Sequence, residues 1–427
     1  MNKEFLNKRY KKEKRFILLG RVAVSLTIIF LVILLGSILL RGISGFYTTN
    51  IFLTTNLSQE IIDPEDKNNL EDIYKSSWRK VARNSIYDVL SAFNKSKNID
   101  KTSRKDKRDF LKLFSRSSEF YIRDFTLENL DNIGKEVKIS IPSSSLVDQF
   151  LKGKINIAVN EDDRPINDKQ ISWINFMVEN KMIERKFNIN FFYKGDSRNA
   201  EEAGILGAIV GSFFVILVAI IVAFPVGVMS AIYLEEFAPK NKITNIIEVN
   251  INNLAAVPSI IFGLLGLAVF INFFGMPRSI PLVGGLVLSL MTLPTIIITT
   301  RSALQSVPPS IREAALAMGA SEMQVVFQHL LPAALPGIFT GTIIGLARAF
   351  GESAPLLLIG MVAFIVDIPG SINDPATALP VQIYIWADSP ERAFVAKTSA
   401  ATLILIGLLI IINLVAVILR KRYEVKW

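Results

Sequence analysis

The chain has 427 residues, a mean hydropathy of +0.40 and 51% hydrophobic residues, yet 20% of its residues are charged. This mixture excludes an ordinary soluble domain and predicts long apolar spans joined to a polar portion. Cysteine is absent, which excludes disulfides and thiolate metal sites. Much of the net charge of +9 lies in basic runs at the two ends that flank apolar spans, which indicates membrane orientation rather than nucleic-acid binding.

The first predicted elements are a basic segment, residues 1–15, and an apolar run, residues 16–41. The run is longer than a signal-peptide core and lacks a clear small-residue cleavage site, so it predicts an uncleaved first transmembrane helix. Apolar runs of about 20 residues predict five further spans. These spans lie near 204–234, 251–274, 281–300, 333–365 and 400–419. The run 333–365 is too long for one straight span, and we expect it to break at Pro355.

Residues 42–200 are polar, with mixed charge. Apolar residues recur on one helical face, at Ile86, Val89, Leu90 and Phe93. The segments 137–141 and 155–159 alternate as strands do, so we predict a small α+β domain inserted after the first span. The basic segment 101–116 has two interpretations, a solvated helix face or a collector of anions near the membrane. No metal-ligand cluster, catalytic triad or nucleotide-binding loop is recognisable in this region.

The distribution of Lys and Arg predicts the orientation of the chain. The basic residues of the short segments fall mainly at the two termini and in two loops. The loop residues are Lys240, Lys242, Arg301 and Arg312. By the positive-inside rule, both termini and these loops lie in the cytoplasm. Residues 42–200 are then external, on the opposite side of the membrane from the termini.

Residues 308–332, PPSIREAALAMGASEMQVVFQHLLP, form a polar helix–turn–helix between two predicted spans. Proline opens the first helix, alanines favour it, and Gly319 lets the chain turn. Glu313 supplies an exposed charge for a basic partner. The only histidine, His329, is interpreted as an interface residue rather than a metal ligand. The chain lacks the glycine-rich phosphate loop of an ATPase, so ATP-driven work would require another polypeptide.

The fifth span repeats glycine at every fourth position, in Gly337, Gly341 and Gly345. This stripe permits close helix–helix packing. Arg348 and Glu352 fall near the same helical arc and are spaced to pair. A lone charge at mid-bilayer costs about 2.5–3.5 kcal/mol on insertion scales, so such residues usually face a partner or a cavity. Two interpretations remain open, a structural ion pair or the lining of an anion path.

A further arginine, Arg301, lies at the cytoplasmic end of the fourth span. It is a weaker candidate for the same anion path, and the alternative is a simple anchor at the membrane edge.

Several blocks resemble the permeases of phosphate ABC importers. The blocks are ARAFGESAPLLLIG (347–360), YLEEFAPKN (233–241), NNLAAVPSIIFGLLGL (252–267), LPTIIITTRSALQSVPPSIREAALAMGAS (293–321) and ADSPERAF (387–394). Segment 308–332 resembles the EAA coupling loop, in which Glu313, Ala314, Ala315, Gly319 and Pro332 would dock an ATPase. His329 departs from that pattern, which usually has an aliphatic residue there. The resemblance is dense over residues 200–427, and residues 1–200 resemble the amino-terminal extension of one bacterial subgroup.

The resemblance implies an all-α membrane fold, a six-helix ABC-importer permease bundle over residues 201–427. It implies a non-catalytic subunit without cofactor or metal, in which Arg348, Glu352 and Arg301 would line the path. The implied partners are a second permease (PstC), two copies of the ATPase PstB, the periplasmic phosphate-binding protein PstS, phosphate and the lipid bilayer. Two alternatives stay open: a permease for molybdate, sulfate or phosphonate, and a membrane-anchored sensor or enzyme built on residues 42–200.

Overall fold

The computed structural model describes residues 3–64, 69–99 and 101–423. The strands within these ranges are β1 (Tyr47–Asn56), β2 (Glu136–Pro142) and β3 (Ile183–Phe187). The helices up to the end of the sheet region are α1 (Lys3–Gly45), α2 (Gln59–Ile62), α3 (Leu70–Lys75), α4 (Trp78–Ser96), α5 (Arg104–Leu111), α6 (Ser118–Glu128), α7 (Ser145–Leu151), α8 (Asp168–Glu179) and α9 (Asn190–Tyr193). The later helices are α10 (Leu206–Ile232), α11 (Lys242–Ala255), α12 (Ser259–Gly266), α13 (Pro281–Gln305), α14 (Pro309–Ala317), α15 (Glu322–Gln324), α16 (Leu331–Phe350), α17 (Ala354–Leu358), α18 (Leu379–Ala387) and α19 (Phe394–Tyr423).

Shorter helical turns complete the description. Leu130–Asn132 and Glu161–Asp163 are 3₁₀ turns, and Tyr233–Phe237, Leu267–Phe273 and Val325–Leu330 are π-helical. Each π-helical segment directly continues an α-helix, so α10, α12 and α15 are all longer than their α-helical bounds suggest. We refer to residues 47–193 as the sheet domain and to the helices from α10 onward, together with α1, as the bundle.

The sheet domain is built on three antiparallel strands in the order β2-β1-β3. In this register Leu53 lies opposite Ile139, and Ile51 lies opposite both Ile141 and Ile183. The apolar alternation buries one face of β1 and β2 against the helices. The predicted strand at 137–141 is therefore confirmed, as is the small α+β character of this region. The predicted buried face of the helix containing Phe93 is confirmed too, since that ring packs edge-on against Trp173 of α8.

The predicted strand at 155–159 is wrong. These residues form turns, between a left-handed Gly153 (φ +66°) and a 3₁₀ turn. No described strand lies alongside them, and Ile157 is 53% exposed. Alternation alone does not make a strand when no neighbour accepts its backbone hydrogen bonds.

Among the residues that the structure describes, five helical stretches are long and apolar enough to cross a membrane. They are Arg9–Gly45, Leu206–Phe237, Pro281–Gln305, Glu322–Phe350 and Phe394–Arg422. A sixth would consist of the pair Lys242–Ala255 and Ser259–Phe273, which is bent by 102°. Five of the six predicted spans thus correspond to a single long helical stretch each.

Two breaks differ from the expectation. The predicted span at 251–274 is interrupted between α11 and α12, where Pro258 stands immediately before α12 and has no N–H to continue the helical hydrogen bonds. The break predicted at Pro355 occurs earlier: α16 ends at Phe350, with Gly351 as its cap. Pro355 lies in the first turn of α17, where a missing N–H costs nothing.

The bundle is assembled by helices that contact in sequence around its core. α10 packs along α13, α13 along α16, α16 along α19, and α19 along α1. Glycines allow the closest approaches, as at Gly285, where an added Cβ would lie 2.6 Å from Cγ1 of Val218. The most apolar stretch of α1 is not buried by the rest of the chain. α1 is therefore a peripheral helix whose main bundle contact is with α19.

Candidate functional site

The polar loop between α13 and α16 folds as the helix α14 followed by a turn and a second helix. Glu313 and Ala314 are exposed, whereas Ala315 is buried in the cluster that includes Leu304 and Ile338. Gly319 has a left-handed backbone (φ +85°), and an added Cβ there would meet no other atom. Glycine is required at this turn for its conformation and not for space.

The second helix of this loop does not stop where the bundle begins. α15, the π-helical segment Val325–Leu330 and α16 run on as one stretch of 29 residues, Glu322–Phe350. Pro332 lies exposed in the first turn of α16 without interrupting this stretch. The loop is thereby joined to the interior of the bundle by one continuous helical stretch.

Four apolar side chains stand exposed on this loop, and we call them the loop patch. The loop patch comprises Leu316, Met318, Met323 and Phe327. Met318 alone is 79% exposed. Methionine adapts its shape to a partner, and an exposed apolar group rimmed by polar residues marks an interaction surface. The described residues that surround the loop patch leave it open to a second polypeptide.

A network of ion pairs lies beside the loop and binds four elements together. Arg301 of α13 pairs through Nε with Glu235 at 3.1 Å and through Nη2 with Glu248 at 2.9 Å. Gln305 Nε2 donates to the same Glu235 carboxylate at 2.9 Å. Glutamates of the π-helical segment after α10 and of α11 therefore hold the end of α13. Both bonds of the Arg301 guanidinium go to protein carboxylates.

The neighbouring residue of the π-helical segment extends the network to the loop. Glu236 pairs with Arg312 of α14, and the carboxylate of Glu236 is almost fully buried. Sequence reasoning missed these glutamates, although they lie in the block YLEEF (233–237) that closes an apolar span. The available signal for this network was a pair of adjacent glutamates, Glu235 and Glu236, at the end of one predicted span, together with Arg301 at the end of another.

Arg348 and Glu352 lie at the opposite end of the long helix from the loop patch. The Arg348 side chain is 55% exposed and its Nε is 3.9 Å from Glu352 Oε1. Since α16 ends at Phe350, Glu352 stands just beyond the helix and not on its face. The pair is loose, and the guanidinium is open to the outside of this subunit.

The three glycines of α16 face α13. An added Cβ at Gly337 would lie 2.6 Å from Cβ of Ala303, and one at Gly341 would overlap the side chain of Thr299. At Gly345 the nearest atom, Cγ2 of Thr295, would be 3.6 Å away. The glycines thus lie against a neighbouring helix of the same chain, whereas the side chain of Arg348 is more than half exposed.

Comparison with known proteins decides the family. Residues 223–425 match the family described as "Binding-protein-dependent transport system inner membrane component", and residues 3–161 match a domain of unknown function, DUF3333. The phosphate transport system permease protein PstA of Haemophilus influenzae is 33% identical over 224 residues, which is 52% of this chain and 76% of that protein. The chain belongs to the PstA permease family. PstA of Yersinia pestis is 30% identical over 248 residues, 57% of this chain and 81% of that protein.

Other relatives are matched over less of their length. The probable ABC transporter permease protein YqgI of Bacillus subtilis is 36% identical over 172 residues, and the chain spans only 58% of it. Among solved structures, an inward-facing MetNI methionine ABC transporter chain is 23% identical with a TM-score of 0.41, covering 52% of this chain and 95% of that chain.

As a PstA-family permease, the chain is a non-catalytic, multi-pass subunit of the inner membrane. Permeases of this family work with an ATPase and a binding protein. Within the described ranges no group of three His, Asp or Glu residues could hold a metal ion.

Sequence reasoning also missed a buried polar junction between the sheet domain and the bundle. The carboxylate of Asp196 accepts hydrogen bonds from Gln382 Nε2 at 2.9 Å and Trp386 Nε1 at 3.0 Å. Burial raises the pKa of Asp196 above its ordinary value, and these hydrogen bonds oppose that rise. Lys397, in the first turn of α19, donates from Nζ to the carbonyl of Ala203 at 3.0 Å. In the sequence Lys397 is a single charge beside an apolar span, and nothing near it indicated the carbonyl of Ala203 as its partner.

Proposed function

We propose that this PstA-family permease is one of the two membrane subunits of a phosphate importer and forms half of the translocation path. The observation that carries the proposal is the match to proteins named as phosphate transport system permeases, over 76% of the H. influenzae relative. The block 347–360, which contains Arg348 and Glu352, lies within the matched bundle. A permease for molybdate, sulfate or phosphonate would share the fold and is separated by the experiment below.

The proposed substrate contact is Arg348. Its planar guanidinium suits the oxygens of a phosphate, and its exposure leaves it reachable from the face where the second permease, PstC, would stand. Glu352 lies close enough to compete for the guanidinium, so it would keep the phosphate site weak enough for release. Gly337, Gly341 and Gly345 hold α16 against α13 and so fix the base from which Arg348 projects.

The proposed ATPase contact is the loop patch together with Glu313 and Ala314. Two copies of the ATPase PstB would bind the complex, one of them on this loop. The stretch Glu322–Phe350 has 29 residues, and at 1.5 Å per residue it is about 44 Å long. Within it, Phe327 of the loop patch and Arg348 are about 32 Å apart along the axis. A continuous helix of that length would transmit movement of the loop to the substrate end, as alternating access requires.

The proposed orientation places both termini and the loop patch in the cytoplasm and the sheet domain in the periplasm, where the binding protein PstS delivers phosphate. Basic residues near the loop patch support it, by the positive-inside rule. Arg301 then lies at the cytoplasmic end. Because its guanidinium is engaged by Glu235 and Glu248, we assign it to holding α10, α11 and α13 as one body during transport.

The test is phosphate uptake into vesicles that contain the assembled complex, with uptake competed by sulfate, molybdate and phosphonate. We expect competition only by phosphate itself. Arg348→Gln should lower uptake at least tenfold while the ATPase still co-purifies, and the matched control Arg104→Gln, an exposed arginine of the sheet domain, should not.

Two results would overturn parts of the proposal. Absence of phosphate uptake, or uptake that sulfate, molybdate or phosphonate inhibits as strongly as unlabelled phosphate does, removes phosphate as the specific substrate. Near-normal uptake by Arg348→Met combined with Glu352→Leu removes the pair from the mechanism, since a loose ion pair can be replaced by apolar residues at little cost in stability.

A further inference from the structure

A large cavity lies at the junction of the sheet domain and the bundle. Its volume is about 930 Å³, within the range of small-molecule sites. α4, the segment 108–118 and the beginning of α7 form its walls, and residues 198–201 and Glu391 close it on the bundle side. The cavity is distant in the chain from Arg348 and shares no residue with the proposed phosphate path.

The cavity is lined by six cationic side chains drawn from three separate parts of the chain. They are Arg79, Arg83, Arg108, Lys112, Arg116 and Arg198. Arg79 and Arg83 are one helical turn apart on α4, so they project from the same face. A cleft lined by one sign of charge concentrates ions of the opposite sign.

Most of these cations have no partner within the described part of the chain. Arg79, Arg83, Arg108 and Arg116 take part in none of its ion pairs or side-chain hydrogen bonds, and all four are exposed to solvent. Lys112 pairs with Asp109 at 2.8 Å, and Arg198 lies over the ring of Phe364 at 5.4 Å. Four guanidinium groups are thus free to bind a ligand.

The acidic residues of the lining do not neutralise these arginines. Glu391 accepts a hydrogen bond from Ser145 Oγ at 2.6 Å. Glu201 is half-buried, and burial raises the pKa of its carboxyl above the ordinary value. Glu119 completes the acidic part of the lining. The three carboxylates form no ion pair with the cavity arginines among the residues described.

We propose that this cavity binds a phosphoryl anion carrying more than one negative charge. A carboxylate presents two oxygens and one charge, which satisfies a single arginine fork. A phosphoryl group presents three oxygens and a charge near −2, so several forks can bind it at once. Inorganic phosphate or an oligophosphate from solution shares this chemistry with the headgroup of an anionic lipid at the adjoining membrane. The site does not depend on which ion crosses the bundle.

The binding experiment uses the full chain in nanodiscs of zwitterionic lipid, with inorganic phosphate and tripolyphosphate as calorimetric probes. Every protein in this experiment carries Arg348→Gln, so that the proposed path makes no contribution, and the protein with this change alone is the parent. The triple arginine variant adds Arg79→Gln, Arg83→Gln and Arg116→Gln to the parent. We expect it to bind tripolyphosphate at least tenfold more weakly than the parent. The matched control removes three exposed lysines of α4 and α5 that do not line the cavity. The control changes are Lys80→Gln, Lys95→Gln and Lys105→Gln, and binding should stay within twofold of the parent.

A second arm distinguishes the source of the phosphoryl group. The parent and the triple arginine variant are placed in nanodiscs that contain phosphatidylglycerol, and retained lipid is counted by native mass spectrometry. Retention by the parent and loss in the variant supports the proposal with a lipid headgroup as the occupant. Tripolyphosphate binding that persists in these discs supports it with a soluble anion.

Two outcomes would overturn the proposal. One is equal binding by the triple arginine variant and its lysine control, and the other is no binding of phosphate, tripolyphosphate or phosphatidylglycerol by the parent. If the triple variant does not fold, Arg83→Lys answers the question, since it keeps the charge and removes the fork and should weaken binding severalfold. Transport by the protein without Arg348→Gln is measured separately, so failure of this site and failure of phosphate import are distinguishable.

Discussion

The contact between α13 and α16 can be tested at a single position, Gly341. Replacement by alanine places a Cβ into the side chain of Thr299, overlapping Cβ as well as Oγ1. Because Cβ of Thr299 is fixed to the backbone, no rotamer change relieves the overlap and the two helices must separate. Overpacking of a well-packed contact costs about 1–3 kcal/mol.

The upper end of that range applies at Gly341, since backbone has to move. Alanine favours a helix over glycine by about 1 kcal/mol, which offsets part of the cost. The net destabilisation is then about 2 kcal/mol, or roughly 4–8 °C in melting temperature for a bundle of this size. Gly345→Ala is the matched control, because its nearest contact is at 3.6 Å, and it should be neutral or slightly stabilising.

The assay is thermal unfolding of the purified chain in detergent. Thr299→Gly in the Gly341→Ala background should recover part of the lost stability, so the double variant is less destabilised than the two single changes added together. Equal melting temperatures for Gly341→Ala and Gly345→Ala would refute the idea that α13 and α16 are in contact along the glycine stripe.

Three further predictions concern the loop, the junction and the ion-pair network. Gly319→Val should cost about 1–2 kcal/mol locally, because a β-branched residue disfavours the left-handed backbone. It should abolish co-purification of the ATPase without changing membrane insertion, whereas Gly319→Asn should be tolerated. Normal ATPase binding by the valine variant would contradict the docking role. The raised pKa of Asp196 means that the folded chain binds this proton more tightly than the unfolded chain. The stability that Asp196 contributes to the folded chain is therefore fully present below the pKa it has in the unfolded chain, and it is lost as pH rises through the pKa it has in the folded chain. Asp196→Asn should then flatten the decline of melting temperature with rising pH. An unchanged slope would count against this explanation. Glu235→Gln leaves Arg301 with Glu248 alone and should destabilise by about 1–2 kcal/mol, with a smaller difference in high salt; no change in melting temperature at low salt would show that the network is not stabilising.

Local sequence patterns predicted the elements whose cause is local. The apolar runs identified the long helices, and alternation identified β2, because burial of one face requires that alternation. The helix–turn–helix at 308–332 was predictable because proline, alanine and glycine each act within a few residues. The left-handed Gly319 followed from the same local signal.

Features that depend on distant partners were not predictable in this way. Residues 155–159 alternate like a strand but have no neighbouring strand, which only the tertiary fold decides. The sequence left two interpretations of Arg301 open, a weaker candidate for an anion path or an anchor at the membrane edge. Its ion pairs with Glu235 and Glu248 could not be predicted, because these residues lie 66 and 53 positions away in the chain. The six cations of the cavity come from three parts of the chain. Only the second of these parts, which contains Arg108, Lys112 and Arg116, was recognisable in the sequence as a basic segment.

The junction at Asp196 and Lys397 determines where this chain could be shortened. A cut that removes the whole polar region between α1 and α10 would also remove the carbonyl of Ala203 and the ring of Phe191, which lies 4.5 Å from Lys397 Nζ. Lys397 would then be left as a bare cation at the end of an apolar helix. A truncated permease that retains residues 188–205 keeps these partners.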